Sequence, residues 1–197
     1  MAKIGIIGAG SWGIALALLL NKNGHQVTVW SIVAAEIEML NTEREHKDKL
    51  PGVKLPDDIC FTTKLEEATS ESDLLVLAVP SPYIRSTSSM LKPFVKQNQI
   101  IVNVAKGIEE VTFMTLSQIV EEEIPQADVA VLSGPSHAEE VGRGIPTTIV
   151  VGAKTKKTAE FIQNTFMSEV FRVYISPDVL GIELGAALKN VVALAAG

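Results

Sequence analysis

Lys3-Ile4-Gly5-Ile6-Ile7-Gly8-Ala9-Gly10-Ser11-Trp12-Gly13-Ile14 is the stretch whose reading decides the fold. An apolar run of strand length leads into Gly8, and the apolar run Ile14 to Leu20 leads out of Gly13. G-x-G-x-x-G alone is a weak signal, but at the junction of a strand and a helix it is a strong one. Each glycine has a distinct task there. Gly8 permits the tight turn, Gly10 lets a pyrophosphate approach the backbone, and Gly13 lets the helix pack closely on the strand. The helix that starts here turns unpaired N–H groups and the positive end of its dipole toward phosphate. Against a glycine-rich turn without a ligand, the order of strand, motif and helix predicts a dinucleotide site.

Composition narrows the remaining classes. The 197 residues suffice for one large domain, or one domain and part of a second. With 47% hydrophobic and 20% charged residues, a substantial core is expected. The net charge of −6 excludes a general nucleic-acid binder, so an anionic ligand must be held by a few local cations. Cys60 is the only cysteine, which rules out an intrachain disulfide and a cysteine zinc site, and fits a reducing compartment. No run approaches the roughly 20 apolar residues that span a bilayer, so no membrane insertion and a cytoplasmic location are expected. No metal is expected either.

Outward from the fingerprint, strands and helices alternate. Strands are predicted at Gln26–Trp30, Ile59–Thr62, Leu74–Val79, Ile100–Val104, Val129–Ser133, Thr147–Val151 and Val170–Ile175. Helices are predicted at Val33–Leu40, Leu65–Ser70, Tyr83–Leu91, Phe113–Glu123, His137–Val141 and Thr158–Phe166. Asn41 to Pro56 is polar and reads as a loop excursion. The strands are continuous apolar runs, as required when helices cover both sheet faces. The fold class is therefore α/β, a doubly wound, Rossmann-type and mostly parallel sheet. The division places a dinucleotide-binding domain at 1–176. Residues 177–197 then read as one helix, starting at Pro177, capped by Ser176 and ending at Gly197. Small and apolar residues occur on all its faces, so it is read as the first helix of an incomplete helical domain, and it predicts self-association such as a homodimer.

Three strand ends carry candidate chemistry, because ligands of open α/β sheets bind beyond the carboxyl ends of strands. At Val79-Pro80-Ser81, Pro80 reads equally well as turning the chain out of the sheet over the cofactor region and as a simple strand terminator before a helix. At Ala105-Lys106-Gly107, Lys106 brings one cation into the crevice. At Gly134-Pro135-Ser136-His137-Ala138-Glu139, Ser136 and Glu139 form an S-x-x-E capping box whose helix start faces the same crevice. His137 invites a catalytic role, but at the first turn of a helix it reads as polar filler and is assigned none. Lys189 is the leading acid–base candidate. Its helical neighbours Gly185, Ala186, Val192 and Ala193 offer no counter-charge, so burial would lower its pKa toward neutrality. Asn190 beside it adds a donor for a substrate carbonyl.

Together, G-A-G-S-W-G, the V-P-S turn, A-K-G-I-E, G-P-S-H-A-E-E and E-L-G-A-A-L-K-N-V resemble the bacterial-type NAD(P)-dependent glycerol-3-phosphate dehydrogenases. The resemblance runs from Lys3 to Gly197 in the family's order. It implies reversible reduction of dihydroxyacetone phosphate to sn-glycerol 3-phosphate, a glycerophospholipid precursor. By matching motif it implies that Ser11, Trp12 and Ala138 touch the dinucleotide, beside Gly8, Gly10, Gly13 and Pro80. Lys106 would touch cofactor and substrate, Gly134 and Ser136 would line the substrate site, and Lys189 would be the catalytic acid–base. The family continues into a helical domain with further phosphate-binding residues, so this chain is expected to lack part of the active site.

Cofactor choice is less marked. Relatives often place an arginine after the second strand, where this chain has Trp30-Ser31-Ile32, and an aromatic residue where it has Lys49. No acid at Trp30 or Ser31 holds a ribose hydroxyl, and no Lys or Arg lies between Lys22 and Arg44 to clamp a 2′-phosphate. The missing cation leans toward NAD over NADP. Two alternatives share the fold: a 3-hydroxyacid-type dehydrogenase, and a non-catalytic dinucleotide-binding module that would need neither Lys106 nor Lys189.

Overall fold

The computed structural model describes residues Met1–Gly197. Strand β1 (Lys3–Ile7), helix α1 (Ser11–Lys22) and strand β2 (Gln26–Trp30) form the first unit. Helix α2 (Ala34–Glu43), strand β3 (Cys60–Thr62), helix α3 (Leu65–Thr69) and strand β4 (Leu74–Leu77) complete the first half. The second half runs α4 (Ile84–Leu91), β5 (Ile100–Asn103), α5 (Leu116–Glu123), β6 (Asp128–Ser133), α6 (Ala138–Gly142), β7 (Thr147–Ala153), α7 (Lys156–Phe166) and β8 (Phe171–Ile175). The strands form one sheet in the order β3-β2-β1-β4-β5-β6-β7-β8. Every neighbouring pair is parallel except β6 and β7, which run antiparallel.

The two-residue period of a strand sorts the core into two layers. Ile4 and Ile6 of β1 and Leu74 and Val76 of β4 face the side covered by α1 and α7. Ile7, Leu75 and Leu77 face the side covered by α3, α4 and α5. All seven are almost completely buried, so these strands are apolar on both faces. Chain order reverses beside β1, between its neighbours β2 and β4. The carboxyl end of β1, where Gly8 begins, is thus the switch point at which ligands of such sheets bind.

The fingerprint is the tightest place in that arrangement. Gly8 has φ +122°, a conformation that favours glycine, and a side chain there would collide with the backbone of Ala78 and Val79. A Cβ on Gly13 would stand 2.1 Å from the Gly8 carbonyl oxygen. The first turn of α1 therefore rests directly on the end of β1.

Several boundaries differ from the sequence reading. Asn41 to Pro56 is not simply a polar excursion: α2 extends to Glu43, and Leu50, Val53 and Leu55 fold back into the core with only 1–5% exposure. The helix expected from Phe113 starts at Leu116, because Thr115 and Gln118 form a capping box there. Phe113 instead sits in a turn with φ +58°. The cap expected at Ser136 is absent; α6 is capped by the extended backbone of His137, and the Ser136 hydroxyl turns back to the Gly134 carbonyl at 3.4 Å.

The C-terminal segment also differs. It is two helices, α8 (Val179–Ala187) and α9 (Lys189–Ala196), bent by 51°. Leu188 between them has φ −82° and ψ −5°, and a ψ this far from the α-helical value redirects the axis. Its cap is Asp178, whose carboxylate accepts from the Gly181 N–H at 2.8 Å, while the Ser176 hydroxyl accepts from the Asp178 N–H. Helix α8 packs so closely on β7 that Ile182 and Val179 occupy the space a side chain on Gly152 would need. The outer residues are exposed, with Leu194 at 85%. No single helix is long and apolar enough to cross a membrane.

The packing of Gly13 on Gly8 yields a stability prediction. Gly13→Ala forces α1 away from β1 and should cost about 1–3 kcal/mol, the usual range for an overpacked interior. Urea denaturation should show a lower midpoint at an unchanged slope.

Candidate functional site

Three clefts follow one another along the carboxyl ends of the strands. The first, of about 420 Å³, lies beside β2 and is lined by Gly8, Gly10, Trp30, Ser31, Glu36, Lys49 and Pro80. Ile32, Val33, Tyr83 and Met90 also line it, and all four are 42–70% exposed. Such apolar walls around an open slot suit a flat aromatic ring such as adenine. The middle cleft, of about 560 Å³, is lined by Gly10, Ser11, Trp12, Pro80, Lys106, Ser136 and Ala138 among others. The third, of about 510 Å³, contains Lys106, Gly134, Gly185 and Lys189. Gly10 and Pro80 border the first two clefts, and Lys106 borders the last two.

Gly10 shows how well a phosphate group fits. It has φ −67° and ψ 174°, which any residue adopts, and no atom lies within 4 Å of where its Cβ would stand. Neither conformation nor packing within the protein explains glycine at this position. Gly10 is the N-cap of helix α1, and no side chain caps that end. Its first N–H groups thus have no intrahelical partner and lie at the middle cleft with Ser11 and Trp12. The indole N–H of Trp12 is buried without a hydrogen-bond partner. These features fit the pyrophosphate of a dinucleotide. Gly13 lines none of the three clefts, and its part is the packing described above.

Lys106 is held at the junction by several contacts. Its ammonium donates to the Gly134 carbonyl at 3.1 Å. The turn that follows fits against Ser81 only because Gly107, at φ +143°, has no side chain. Three residues on, Glu109 forms a two-pronged ion pair with Arg85, both contacts being 2.8 Å. Arg85 also reaches Glu123 at 2.8 Å, which ties the turn to α4 and α5. The hydrogen bonds from Arg85, then from Thr112, hold the Glu109 carboxyl down at about 2. Burial, aided by the positive charge of Lys189, pushes the Lys106 ammonium below the ordinary lysine range.

Lys106 and Lys189 are both part-buried rather than buried. Lys189 is half-buried at the first turn of α9, because the apolar face of the C-terminal helices is open rather than enclosed. Asn190 is exposed and does not line the cleft that contains Lys189. Ser136 lines the middle cleft rather than the third.

Sequence reasoning passed over Glu183. This buried carboxylate accepts from the Ser117 N–H at 2.8 Å and from the Ser117 hydroxyl at 2.6 Å. It thereby satisfies the N-terminal turn of α5 and fixes α8 to that helix, six residues before Lys189. Its signal was available, since it is the lone acid of an otherwise apolar helix.

The sign of the Lys106 shift gives a pH prediction. A lysine whose folded pKa lies below its unfolded value of 10.5 holds fewer protons in the native state across that interval. Stability contributed by Lys106 therefore rises with pH between those two values. Lys106→Met should lack this rise, so the stability difference between wild type and variant should shift in favour of wild type as pH approaches 10.5. Identical pH dependence of the two proteins in thermal denaturation would contradict the burial of this charge.

Residues 3–159 match the family model for the NAD-dependent glycerol-3-phosphate dehydrogenase N-terminus. A glycerol-3-phosphate dehydrogenase [NAD(P)+] of Agathobacter rectalis is 68% identical over 197 residues, covering all of this chain and 59% of that protein. The Bacillus subtilis protein of the same name is 46% identical over 200 residues, covering all of this chain and 58% of its own length. This chain thus spans less than two thirds of these curated relatives. Among solved structures, glycerol-3-phosphate dehydrogenase from Coxiella burnetii superposes with a TM-score of 0.93 at 29% identity, covering 98% of this chain and 59% of that one. A GDP-mannose dehydrogenase structure, at 16% identity and a TM-score of 0.79, shares the fold. By the extent of the family match, this chain belongs to the NAD-dependent glycerol-3-phosphate dehydrogenase family, whose N-terminal part it matches.

Proposed function

We propose that the chain forms the dinucleotide-binding part, residues 1–176, and the first catalytic helices, within 177–197, of an enzyme that reduces dihydroxyacetone phosphate to sn-glycerol 3-phosphate. The reaction is reversible and uses NAD in preference to NADP. It supplies the backbone of glycerophospholipids in the cytoplasm. The relatives' shared name supplies the substrate. The observation that carries the reading is the sequence of three clefts joined at Gly10 and Lys106. One cleft suits an adenosine, the next a pyrophosphate and nicotinamide, and the last a small ketone.

Each residue then has a task. Gly8, Gly10, Ser11 and Trp12, with Pro80 and Ala138, hold the dinucleotide, and Gly13 seats the helix that faces its phosphates. When bound, the reduced nicotinamide supplies a hydride, the chemistry that the protein itself lacks. Lys106 stands where cofactor and substrate meet, and Gly134 fixes its ammonium. Its charge stabilises the negative charge that develops on the ketone oxygen. Lys189 hands a proton to that oxygen and takes it back in the reverse direction. No protein group pairs its ammonium in the third cleft, so all three of its N–H bonds are available. Gly134 and Ser136 shape the substrate end, and Asn190 serves as a second donor once its surface is covered. The exposed apolar residues of α8 and α9 mark the face that associates with further helices or with a second copy.

A fluorescence titration with NADH tests the proposal. NADH should bind saturably, and dihydroxyacetone phosphate should tighten that binding. Lys106→Ala should remove the tightening, because one cation serves both clefts. NADH binding that is indifferent to the ketone in the wild-type protein would contradict the substrate assignment.

A further inference from the structure

The first cleft contains a charged cluster that the reaction does not use. Glu36 of α2 reaches back to the end of β2, where its carboxylate accepts from the Ser31 hydroxyl at 2.7 Å. Ser31 also accepts from the Val33 N–H, and its one hydroxyl proton is committed to Glu36. Lys49, brought in by the folded-back loop, forms an ion pair with the other carboxylate oxygen. The ring of His46 lies beneath, 1% exposed, with Nε2 3.7 Å from the same oxygen. The Glu36 side chain is 14% exposed, and Glu36 and Lys49 line the cleft together with Gly8 and Gly10.

We infer that Glu36 reads the ribose of the adenosine half of the cofactor, accepting a hydrogen bond from its free 2′-hydroxyl and excluding a 2′-phosphate. This inference rests on the dinucleotide reading of the cleft and names the residue that sets cofactor choice. The sequence offers no acid at the end of β2, where such a reader is usually found. The fold supplies one from the next helix. Burial raises the pKa of the Glu36 carboxyl, but the hydrogen bonds from Lys49 and Ser31 outweigh it and the net direction is down. The group is thus an anion at neutral pH, an acceptor with no proton to offer. A phosphate beside it would bring a second negative charge into a partly dehydrated site. The one cation within reach, Lys49, is already neutralised by Glu36. Arg44 is committed elsewhere, donating to the carbonyls of Ile59 and Asp57.

The test is calorimetric titration with NADH and NADPH in parallel. Wild type should bind NADH more tightly. Glu36→Gln keeps the shape but removes the charge and frees Lys49. It should weaken NADH on the order of tenfold and tighten NADPH, so the ratio of affinities collapses. Adding Lys49→Met to Glu36→Gln should abolish the NADPH gain, and an unchanged melting temperature would show that both variants are folded. Tighter binding of NADPH by wild type, or equal weakening of both nucleotides by Glu36→Gln, would overturn the inference while leaving the dinucleotide site standing. Saturable binding of neither nucleotide would overturn the dinucleotide reading, and this inference with it.

Discussion

The contact of α1 with the end of β1 is the constraint on which the other features depend. Gly13 lies over the Gly8 carbonyl with no room for a methyl group, and Gly8 itself abuts the Ala78–Val79 backbone that leaves β4. Three elements therefore meet within a few ångströms at the point where the strand order reverses. Because they meet so closely, the unpaired N–H groups of α1 emerge at the junction of the first and middle clefts. A looser junction would move the helix dipole away from the proposed pyrophosphate position, and the field of such a terminus falls off within its first turn.

From that point the remaining site residues are placed by successive strand ends. β4 delivers Pro80, and β5 delivers Lys106 on a turn anchored by Arg85 and Glu109. β6 delivers Gly134, whose carbonyl fixes Lys106. Lys189 is placed differently, through α8, which is held by the Glu183 carboxylate on Ser117 and by Gly152 beneath Ile182. Burial first, and then the charge of Lys189 in the same cleft, lower the pKa of Lys106. Two cations in one cleft suit the proposed anionic substrate, which the net charge of −6 would otherwise repel.

The sheet was legible because its signals are local. Continuous apolar runs such as Leu74–Leu77, and glycines at a strand–helix junction, leave few alternatives. The misread features depend on tertiary contacts. Asn41 to Pro56 looked solvated because its charges are many, but Leu50, Val53 and Leu55 were enough to pull it into the core. Ser136 and Glu139 have the spacing of a capping box, yet the Ser136 hydroxyl prefers the Gly134 carbonyl. Lys189 looked buried from its neighbours, whereas burial depends on what covers a helix as well as on its own residues. Glu36 could not be linked to the cleft from sequence, because its approach to Ser31 depends on the angle at which α2 leaves β2.

The central claim is that the empty space before Gly10 exists for a ligand and not for the fold. Calorimetric titration of Gly10→Ala with NADH, read beside its melting temperature, tests it most directly. No atom lies near the added methyl group, so the melting temperature should be unchanged while NADH affinity falls at least on the order of tenfold. Undiminished NADH affinity in a stably folded Gly10→Ala protein would contradict the account.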